Sequence, residues 1–245
     1  MDDDKNVLNH LAIIMDGNSR WAKANSMTGY LGHKKGLQRA KETITNTIKH
    51  GIKHLTLFAF SSENWQRPKI EVNYLISLLN GYIDAEGEKL NEEGVKLVII
   101  GDLSRLDVQT KQKIHSLCEK TKNNQVLNLY IAFSYGGKEE ILNLVKNALT
   151  DYANKPDQNN EKNISDITFS SLRKYFYAPD MPDVDLLIRT ANQMRISNFL
   201  PMHLTYAELL FLEKYWPDFT DQDLIDAIAE FKQRKRTFGR RLEGE

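Results

Sequence analysis

Two segments far apart in the chain carry side chains that suit diphosphate and divalent-cation chemistry. The first follows a short apolar run and contains Asp16, Gly17, Asn18 and Arg20; the second follows a later apolar run and contains Arg189, Arg195 and Ser197. Arginines can form forked hydrogen bonds to phosphate oxygens, and a carboxylate at a strand end can hold Mg²⁺, which usually shares oxygens with substrate phosphates. A helix cap at Asp16 and surface ion pairs at the arginines are the alternatives.

Further polar groups fall where loops are expected. The segment after the second apolar run contains Ser61, Ser62, Glu63, Asn64, Trp65 and Arg67. Loops on a rigid α/β scaffold often carry functional groups, although Trp65 could instead be a packing anchor and Glu63 a cap. His33 could donate to phosphate or be structural. Glu208 stands in an apolar stretch and needs an arginine or a metal as partner, so it could share one Mg²⁺ with Asp16.

The elements that must position these groups alternate in type along the chain. Apolar runs predict strands at 11–15, 55–60, 95–100, 126–133, 184–188 and 209–212. Amphipathic segments predict helices near 34–50, 72–91, 107–122, 139–153, 170–177 and 221–235. The alternation predicts an α/β fold with a mostly parallel sheet flanked by helices, and the polar stretch 154–163 predicts a surface loop. The apolar stripe of the second helix is wide enough to face a long apolar ligand as well as the core.

Composition narrows the class of protein. The chain has 245 residues, of which 41% are hydrophobic, so one large domain over 1–245 is favoured. Lys plus Arg and Asp plus Glu both total 33, which gives no reason to expect a nucleic acid as partner. Cys118 is the only cysteine, so an intrachain disulfide is excluded. The first apolar run is too short for a signal peptide, and we expect a cytoplasmic protein.

Six motifs, taken in order, resemble one known family. They are Met15-Asp16-Gly17-Asn18-x-Arg20-Trp21-Ala22, Gly32-His33-Lys34-x-Gly36, Phe60-Ser61-Ser62-Glu63-Asn64-Trp65-x-Arg67-Pro68, Ile188-Arg189-Thr190, Arg195-Ile196-Ser197-Asn198-Phe199 and Tyr206-Ala207-Glu208-Leu209. From about residue 10 to 239 the chain resembles the cis-prenyltransferases, and among them the bacterial undecaprenyl diphosphate synthases, also called isoprenyl transferases.

The resemblance implies a homodimer, a six-stranded sheet with a hydrophobic tunnel, and Mg²⁺-dependent condensation of isopentenyl diphosphate onto farnesyl diphosphate. It implies Asp16 and Asn64 as catalytic residues and Asp16 with Glu208 as metal ligands. The substrate-binding residues it implies are Gly17, Asn18, Ser19, Arg20, Trp21, His33, Ser61, Ser62, Glu63, Asn64, Trp65, Arg67, Arg189, Arg195, Ile196 and Ser197. The product would be a polyprenyl diphosphate, with undecaprenyl diphosphate, a lipid-carrier precursor for the cell wall, expected.

The chain departs from the family pattern at several positions. Gly29 and Tyr30 stand where the family usually has an arginine, and one lost charged contact to phosphate costs about 1.5 to 3 kcal/mol. Asn192 and Gln193 replace the usual Gly-Glu, and Thr237 replaces a C-terminal arginine. These departures are the support for one rival, a catalytically weak scaffold subunit. A second rival, a phosphatase of the haloacid dehalogenase type, would need a second aspartate where Asn18 stands.

Two further expectations concern the product. Ala59 is small and stands near the end of the second strand, which favours a medium or long chain. A long product must reach a bilayer, so transient contact with the inner membrane surface is expected. The basic residues that could support this contact, or could equally form a solvated tail, are Arg234, Lys235, Arg236, Arg240 and Arg241.

Overall fold

The six apolar runs form one parallel sheet. The computed structural model describes residues 7–154 and 167–239. Its strands are β1 (His10–Ile14), β2 (His54–Ser61), β3 (Val95–Ile100), β4 (Leu127–Tyr135), β5 (Leu186–Arg189) and β6 (Glu208–Phe211). They lie in the order β3-β4-β2-β1-β5-β6, and every neighbouring pair is parallel. The prediction of a mostly parallel sheet is confirmed.

The helices follow the predicted segments closely. They are α1 (Asn18–Ala24), α2 (Gly29–Lys49), α3 (Lys69–Glu92), α4 (Val108–Thr121), α5 (Gly137–Asn154), α6 (Phe169–Leu172) and α7 (Asp221–Gln233). The helix predicted over 170–177 is shorter, because α6 gives way to a 3-10 turn at Arg173–Tyr175. The separate α1 was not predicted; a left-handed residue, Ser26, breaks it from α2. The loop predicted at 154–163 lies outside the described residues from 155 onward.

Both faces of the sheet are buried, as parallel sheets require. On one face Leu11 and Ile13 of β1 join apolar side chains of α2, α3, α4 and α7 in the larger core. On the other face Ala12 and Ile14 pack in a second core with Phe199 and Leu200. A strand with no polar face is therefore specified by a continuous apolar run, which is why the strand positions could be predicted.

The centre of the sheet creates a crevice. The strand β1 pairs with β2 on one side and with β5 on the other, so the chain leaves β1 and β5 in different directions. Ligands of open α/β sheets bind at such switch points, beyond the carboxyl ends of the strands. Asp16 follows β1. Arg189 is the last residue of β5 and lies opposite Ile14 of β1 in the sheet. Topology thus joins the two segments that sequence chemistry singled out.

The C-terminal basic residues are partly engaged within the chain. Arg234 donates to the Glu208 carboxylate at 2.9 Å, and Arg236 donates to Asp185 at 2.9 Å. Lys235 is exposed, whereas Arg240 and Arg241 lie outside the described residues. Two of the five cations named for membrane contact are therefore bound to carboxylates. Across 7–154 and 167–239 no helix is long and apolar enough to cross a bilayer.

Candidate active site

Asp16 is fixed by its backbone as well as by its side chain. Its N–H donates to the Thr190 hydroxyl at 3.0 Å, and its carbonyl accepts from the same hydroxyl at 2.7 Å. The same carbonyl accepts the N–H of Trp216 at 3.0 Å. Thr190 was not predicted as a site residue; its place immediately after Arg189 at a strand end was the available signal. The Asp16 carboxylate is thus held rigidly at the mouth of the crevice.

The turn after Asp16 needs a glycine. Gly17 has a φ of +104°, in the left-handed region that side chains rarely adopt. A β-carbon there would lie 2.7 Å from the Tyr215 ring. The turn leads directly into α1, so Asn18, Ser19 and Arg20 follow Asp16 around the rim of the crevice.

Two arginines grip the one carboxylate. Arg20 donates to Oδ1 of Asp16 and Arg189 donates to Oδ2, both at 2.9 Å. Arg189 is almost fully buried, and its other terminal nitrogen donates to the Ser197 hydroxyl at 2.8 Å and to the Arg195 carbonyl. Its Nε is buried without a hydrogen-bond partner among the described residues. Two guanidinium groups against one carboxylate leave a net positive corner, which suits a polyanion such as a diphosphate.

His33 also lies on the polar rim. Its Nε2 is 3.3 Å from the Ser19 hydroxyl. Burial first, and then the positive charge of Arg67, lowers the pKa of His33 below its usual value. The ring is therefore neutral near pH 7, and it suits a hydrogen bond to a bound ligand rather than a fixed charge. Arg67 itself pairs with Glu71 at 2.9 Å.

The loop after β2 supplies the remaining polar groups of the rim. Ser61, Glu63, Asn64 and Arg67 line the crevice. Asn64 caps the turn by accepting the Ser61 N–H at 3.1 Å, and Ser62 donates to Glu63. Trp65 points elsewhere: its Nε1 donates to Ser134 at 2.8 Å and its ring packs edge-on against Phe60. Trp65 is a packing anchor in this structure, so the alternative given for it holds.

An apolar cavity of about 750 Å³ opens behind the polar rim. One wall is the sheet, where Leu57, Ile131 and Ile99 stand side by side on one rung of β2, β4 and β3. The other walls are α2 and the wide stripe of α3, from which Leu75, Leu78, Leu79, Tyr82 and Ile83 face the cavity. The stripe therefore lines an apolar cavity as well as the core. Ala59 also lines it, at a register irregularity of β2 that interrupts regular pairing.

Besides Ser62 and Trp65, four more predicted site residues lie away from the cavity lining. Trp21 donates to Asp218 at 2.7 Å and braces α1. The Arg195 side chain is exposed, while the backbone carbonyl of this residue supports Arg189. Ile196 packs against the second core. Glu208 is discussed next, because its position bears on the metal.

Glu208 is not next to Asp16 within one chain. It begins β6 opposite Leu186, whereas the Asp16 carboxylate binds Arg189 at the other end of β5. Three residues of strand separate these levels, about 10 Å. Glu208 is already paired with Arg234. Within a single chain, parallel register thus places Asp16 beyond the carboxyl end of β1 and Glu208 at the amino end of β6, and a Mg²⁺ shared by the two stays a prediction.

The side chains around Asp16 fit a metal ion that is held mainly by a bound substrate rather than by the protein. The described residues contain no group of three or more histidine, cysteine or carboxylate side chains that could hold a metal ion. Mg²⁺ commonly takes one or two carboxylates and completes its shell with substrate phosphates and water. The Asp16 carboxylate is 27% exposed at the rim and meets this requirement. In this structure Arg20 and Arg189 donate to the two oxygens of this carboxylate. The same guanidinium groups are the ones best suited to hydrogen bond to a phosphate instead.

Comparison with known proteins agrees with this geometry. A family model described as "Putative undecaprenyl diphosphate synthase" matches residues 14–239. The chain is 45% identical to the isoprenyl transferase of Rickettsia typhi, over 96% of this chain and 99% of that protein. It is 40% identical to the farnesyl-diphosphate-specific ditrans,polycis-undecaprenyl-diphosphate synthase of Pasteurella multocida, over 97% of each chain.

Solved structures agree with the fold. Lavandulyl diphosphate synthase from Lavandula x intermedia, in complex with dimethylallyl diphosphate, superposes with a TM-score of 0.88 at 30% identity. A probable undecaprenyl diphosphate synthase from Campylobacter jejuni superposes with a TM-score of 0.77 at 35% identity. Each match covers 96% of this chain and all of the other. The chain belongs to the undecaprenyl diphosphate synthase family of prenyltransferases and is a cis-prenyltransferase.

Proposed function

We propose that the protein condenses isopentenyl diphosphate onto an allylic diphosphate, with farnesyl diphosphate as the starter and undecaprenyl diphosphate as the product. One observation carries the proposal: a carboxylate held between two arginines stands at the mouth of an apolar cavity of about 750 Å³. A prenyl diphosphate has the same two parts, a charged head and a long apolar tail. The polar rim suits the head, and the cavity suits the tail.

The polar residues of the rim would stabilise the negative charge that develops on the departing diphosphate. In each cycle the C–O bond of the allylic diphosphate breaks, a C–C bond to isopentenyl diphosphate forms, and a proton leaves the new unit. Arg20 and Arg189 would stabilise the departing diphosphate, and Ser197 would position Arg189. Asp16 would hold Mg²⁺ together with diphosphate oxygens, and the metal would neutralise the same developing charge.

The apolar walls of the cavity would exclude water and would limit the length of the product. The apolar lining would keep water from the allylic carbon, whose positive character would otherwise favour hydrolysis. The growing tail would extend along the stripe of α3 and the rung formed by Leu57, Ile99 and Ile131. Ala59 leaves space at the entrance to this path, which favours elongation beyond short products.

We further propose that two copies assemble, in the cytoplasm, with transient contact at the inner membrane surface when product leaves. Support for the homodimer is the family resemblance and an exposed apolar face of α5 that carries Leu142, Val145 and Leu149. Light scattering after size-exclusion chromatography tests it: a mass of about two chains is expected, and Leu149→Lys should shift it toward one. A monomeric wild-type protein at micromolar concentration would contradict the dimer.

The function is tested by incorporation of labelled isopentenyl diphosphate. Purified protein receives farnesyl diphosphate and Mg²⁺, with and without a chelator, and organic-extractable label is counted. Label that depends on Mg²⁺ and is lost in Arg189→Met is the expected result. No incorporation by folded wild-type protein, with shorter and longer allylic starters also tried, would contradict the proposal and favour the scaffold subunit.

A further inference from the structure

Asn198 is the point at which three parts of the site meet. Its side-chain nitrogen donates to the Glu63 carboxylate at 3.0 Å and to the Glu139 carboxylate at 3.2 Å. Its side-chain oxygen accepts the backbone N–H of Lys138 at 2.9 Å. Its neighbour Ser197 holds the Arg189 guanidinium. One amide therefore contacts the loop after β2 and the start of α5, and it is covalently next to the diphosphate-binding corner.

The start of α5 is built around this residue. The Gly137 N–H donates to the Asn198 carbonyl at 2.8 Å, in addition to the bond from Lys138 to the side chain. Gly136 leaves the room for this contact, since a β-carbon there would lie 2.0 Å from Glu139 and 2.9 Å from the Asn198 amide nitrogen. A long helix anchored in the fold thus fixes both the backbone and the side chain of Asn198.

The backbone of the loop is in a conformation that needs such support. Ser197 and Asn198 both have positive φ, at +48° and +62°. Residues other than glycine adopt this region at a cost, and such strain persists where the surroundings determine the conformation. Asparagine tolerates it better than most residues. Without the α5 contacts, the loop that presents the Ser197 hydroxyl to Arg189 would relax.

Asn198 also separates two negative charges. Burial opposes ionisation of Glu63, but hydrogen bonds from Asn198 and from Ser61 and Ser62 outweigh it and keep the pKa of Glu63 below its usual value. One amide N–H for each carboxylate lets Glu63 and Glu139 remain close without direct repulsion. An aspartate at this position would place a third acceptor where a donor is required.

We propose, on the basis of the function proposed above, that Asn198 is a positioning residue that couples the loop carrying Glu63 to the diphosphate corner formed by Arg189 and Ser197. It touches no reacting atom in this role. It sets the distance between the two polar sides of the rim, and hence the relative placement of the two diphosphates.

The test is an isosteric change at Asn198 with a matched control. Asn198→Asp keeps the shape of the side chain but replaces the N–H donor with a charged oxygen, and Asn192→Asp makes the same change of donor and charge at an exposed residue that also has positive φ, +53°. Loss of hydrogen bonds to charged groups predicts that Asn198→Asp lowers kcat and raises KM for isopentenyl diphosphate, by about tenfold each. Asn192→Asp should match wild type. A merely structural role would lower the melting temperature without this change in KM.

Binding provides a readout that does not need turnover. Inorganic diphosphate with Mg²⁺, titrated by calorimetry, should bind Asn198→Asp and Asn198→Ala about tenfold more weakly than wild type or Asn192→Asp. If Asn198 variants fail to fold, Glu139→Ala removes one contact from an exposed position and should weaken binding in the same direction. Glu63→Gln combined with Asn198→Ala should show non-additive effects.

The outcomes separate this inference from the proposed function. Wild-type turnover with unchanged kcat, KM and diphosphate affinity in Asn198→Asp overturns the inference and leaves the function standing. Absence of turnover in wild type, with diphosphate binding weakened by Asn198→Asp alone, overturns the function and leaves the positioning role standing.

Discussion

Removing the Asp16 carboxylate should cost stability as well as activity. Asp16→Ala leaves the Arg189 guanidinium without its carboxylate, and the Arg189 side chain is only 5% exposed. Breaking a fully buried pair costs about 3–5 kcal/mol. Because Asp16 is 27% exposed and Arg189 keeps Ser197 and the Arg195 carbonyl, we expect about 2 kcal/mol. For a domain of this size that lowers the melting temperature by about 4–8 °C.

Two variants separate the stability effect from the catalytic effect. Asp16→Asn keeps an oxygen that can accept from Arg189, so most of the stability should be retained. Turnover should still be lost, because a neutral amide is a poor ligand for Mg²⁺ beside diphosphate. Arg20→Met breaks the other ion pair of the same carboxylate, but Arg20 is 44% exposed, so a loss of at most about 1 kcal/mol is expected.

Thermal unfolding and incorporation of labelled isopentenyl diphosphate are measured on the same preparations. Asp16→Asn with wild-type turnover would refute the role of the carboxylate in holding the metal. Asp16→Ala with an unchanged melting temperature would refute the energetic importance of its pair with Arg189.

Three more predictions follow from single residues. Gly29→Arg should lower KM for the starter about tenfold in steady-state kinetics, because a β-carbon there meets only the Ser19 hydroxyl, at 3.7 Å, and the side chain restores a cation at the rim. An unchanged KM contradicts it. Ala59→Leu should shorten the product on chromatography by filling the cavity entrance; an unchanged product removes Ala59 from the argument. Burial lowers the pKa of His10 from 6.5 to about 3. As pH falls, the unfolded chain therefore binds a proton at this residue before the folded chain does. The free energy of unfolding should be highest above pH 6.5 and should decrease below it by about 1.4 kcal/mol per pH unit. His10→Gln should flatten this slope in urea unfolding at pH 7 and 5, and an unchanged slope contradicts the assignment.

Much of the fold could be predicted because burial on both faces makes each strand a continuous apolar run. The run at 95–100 became β3 with unchanged limits. Strand order could not be predicted from the same pattern, since every run is equally apolar and order depends on which crossover packs over which face. The break between α1 and α2 depends on the left-handed Ser26, which has no strong sequence signal.

Site residues that follow the carboxyl ends of strands could be predicted from the sequence. Residues whose position depends on the register between strands far apart in the sequence could not. Asp16 and Arg189 meet because β1 and β5 are neighbours, as strand-end chemistry suggested. Glu208 also carries a carboxylate that suits a metal ion, but it is the first residue of β6 and so lies at the amino ends of the strands. Trp65 and Asn198 show the same limit: each contacts residues far away in sequence, and motif spacing does not reveal which contacts form.

The most direct test of the central claim is the chain length of the product. Wild-type protein is incubated with farnesyl diphosphate, labelled isopentenyl diphosphate and Mg²⁺, and the extracted products are resolved by length beside the Asp16→Asn variant. A ladder that ends at the undecaprenyl length, absent from the variant and from chelator-treated samples, is the predicted result. A folded wild-type protein that yields no ladder, or yields the same ladder with Asp16→Asn, would contradict the account.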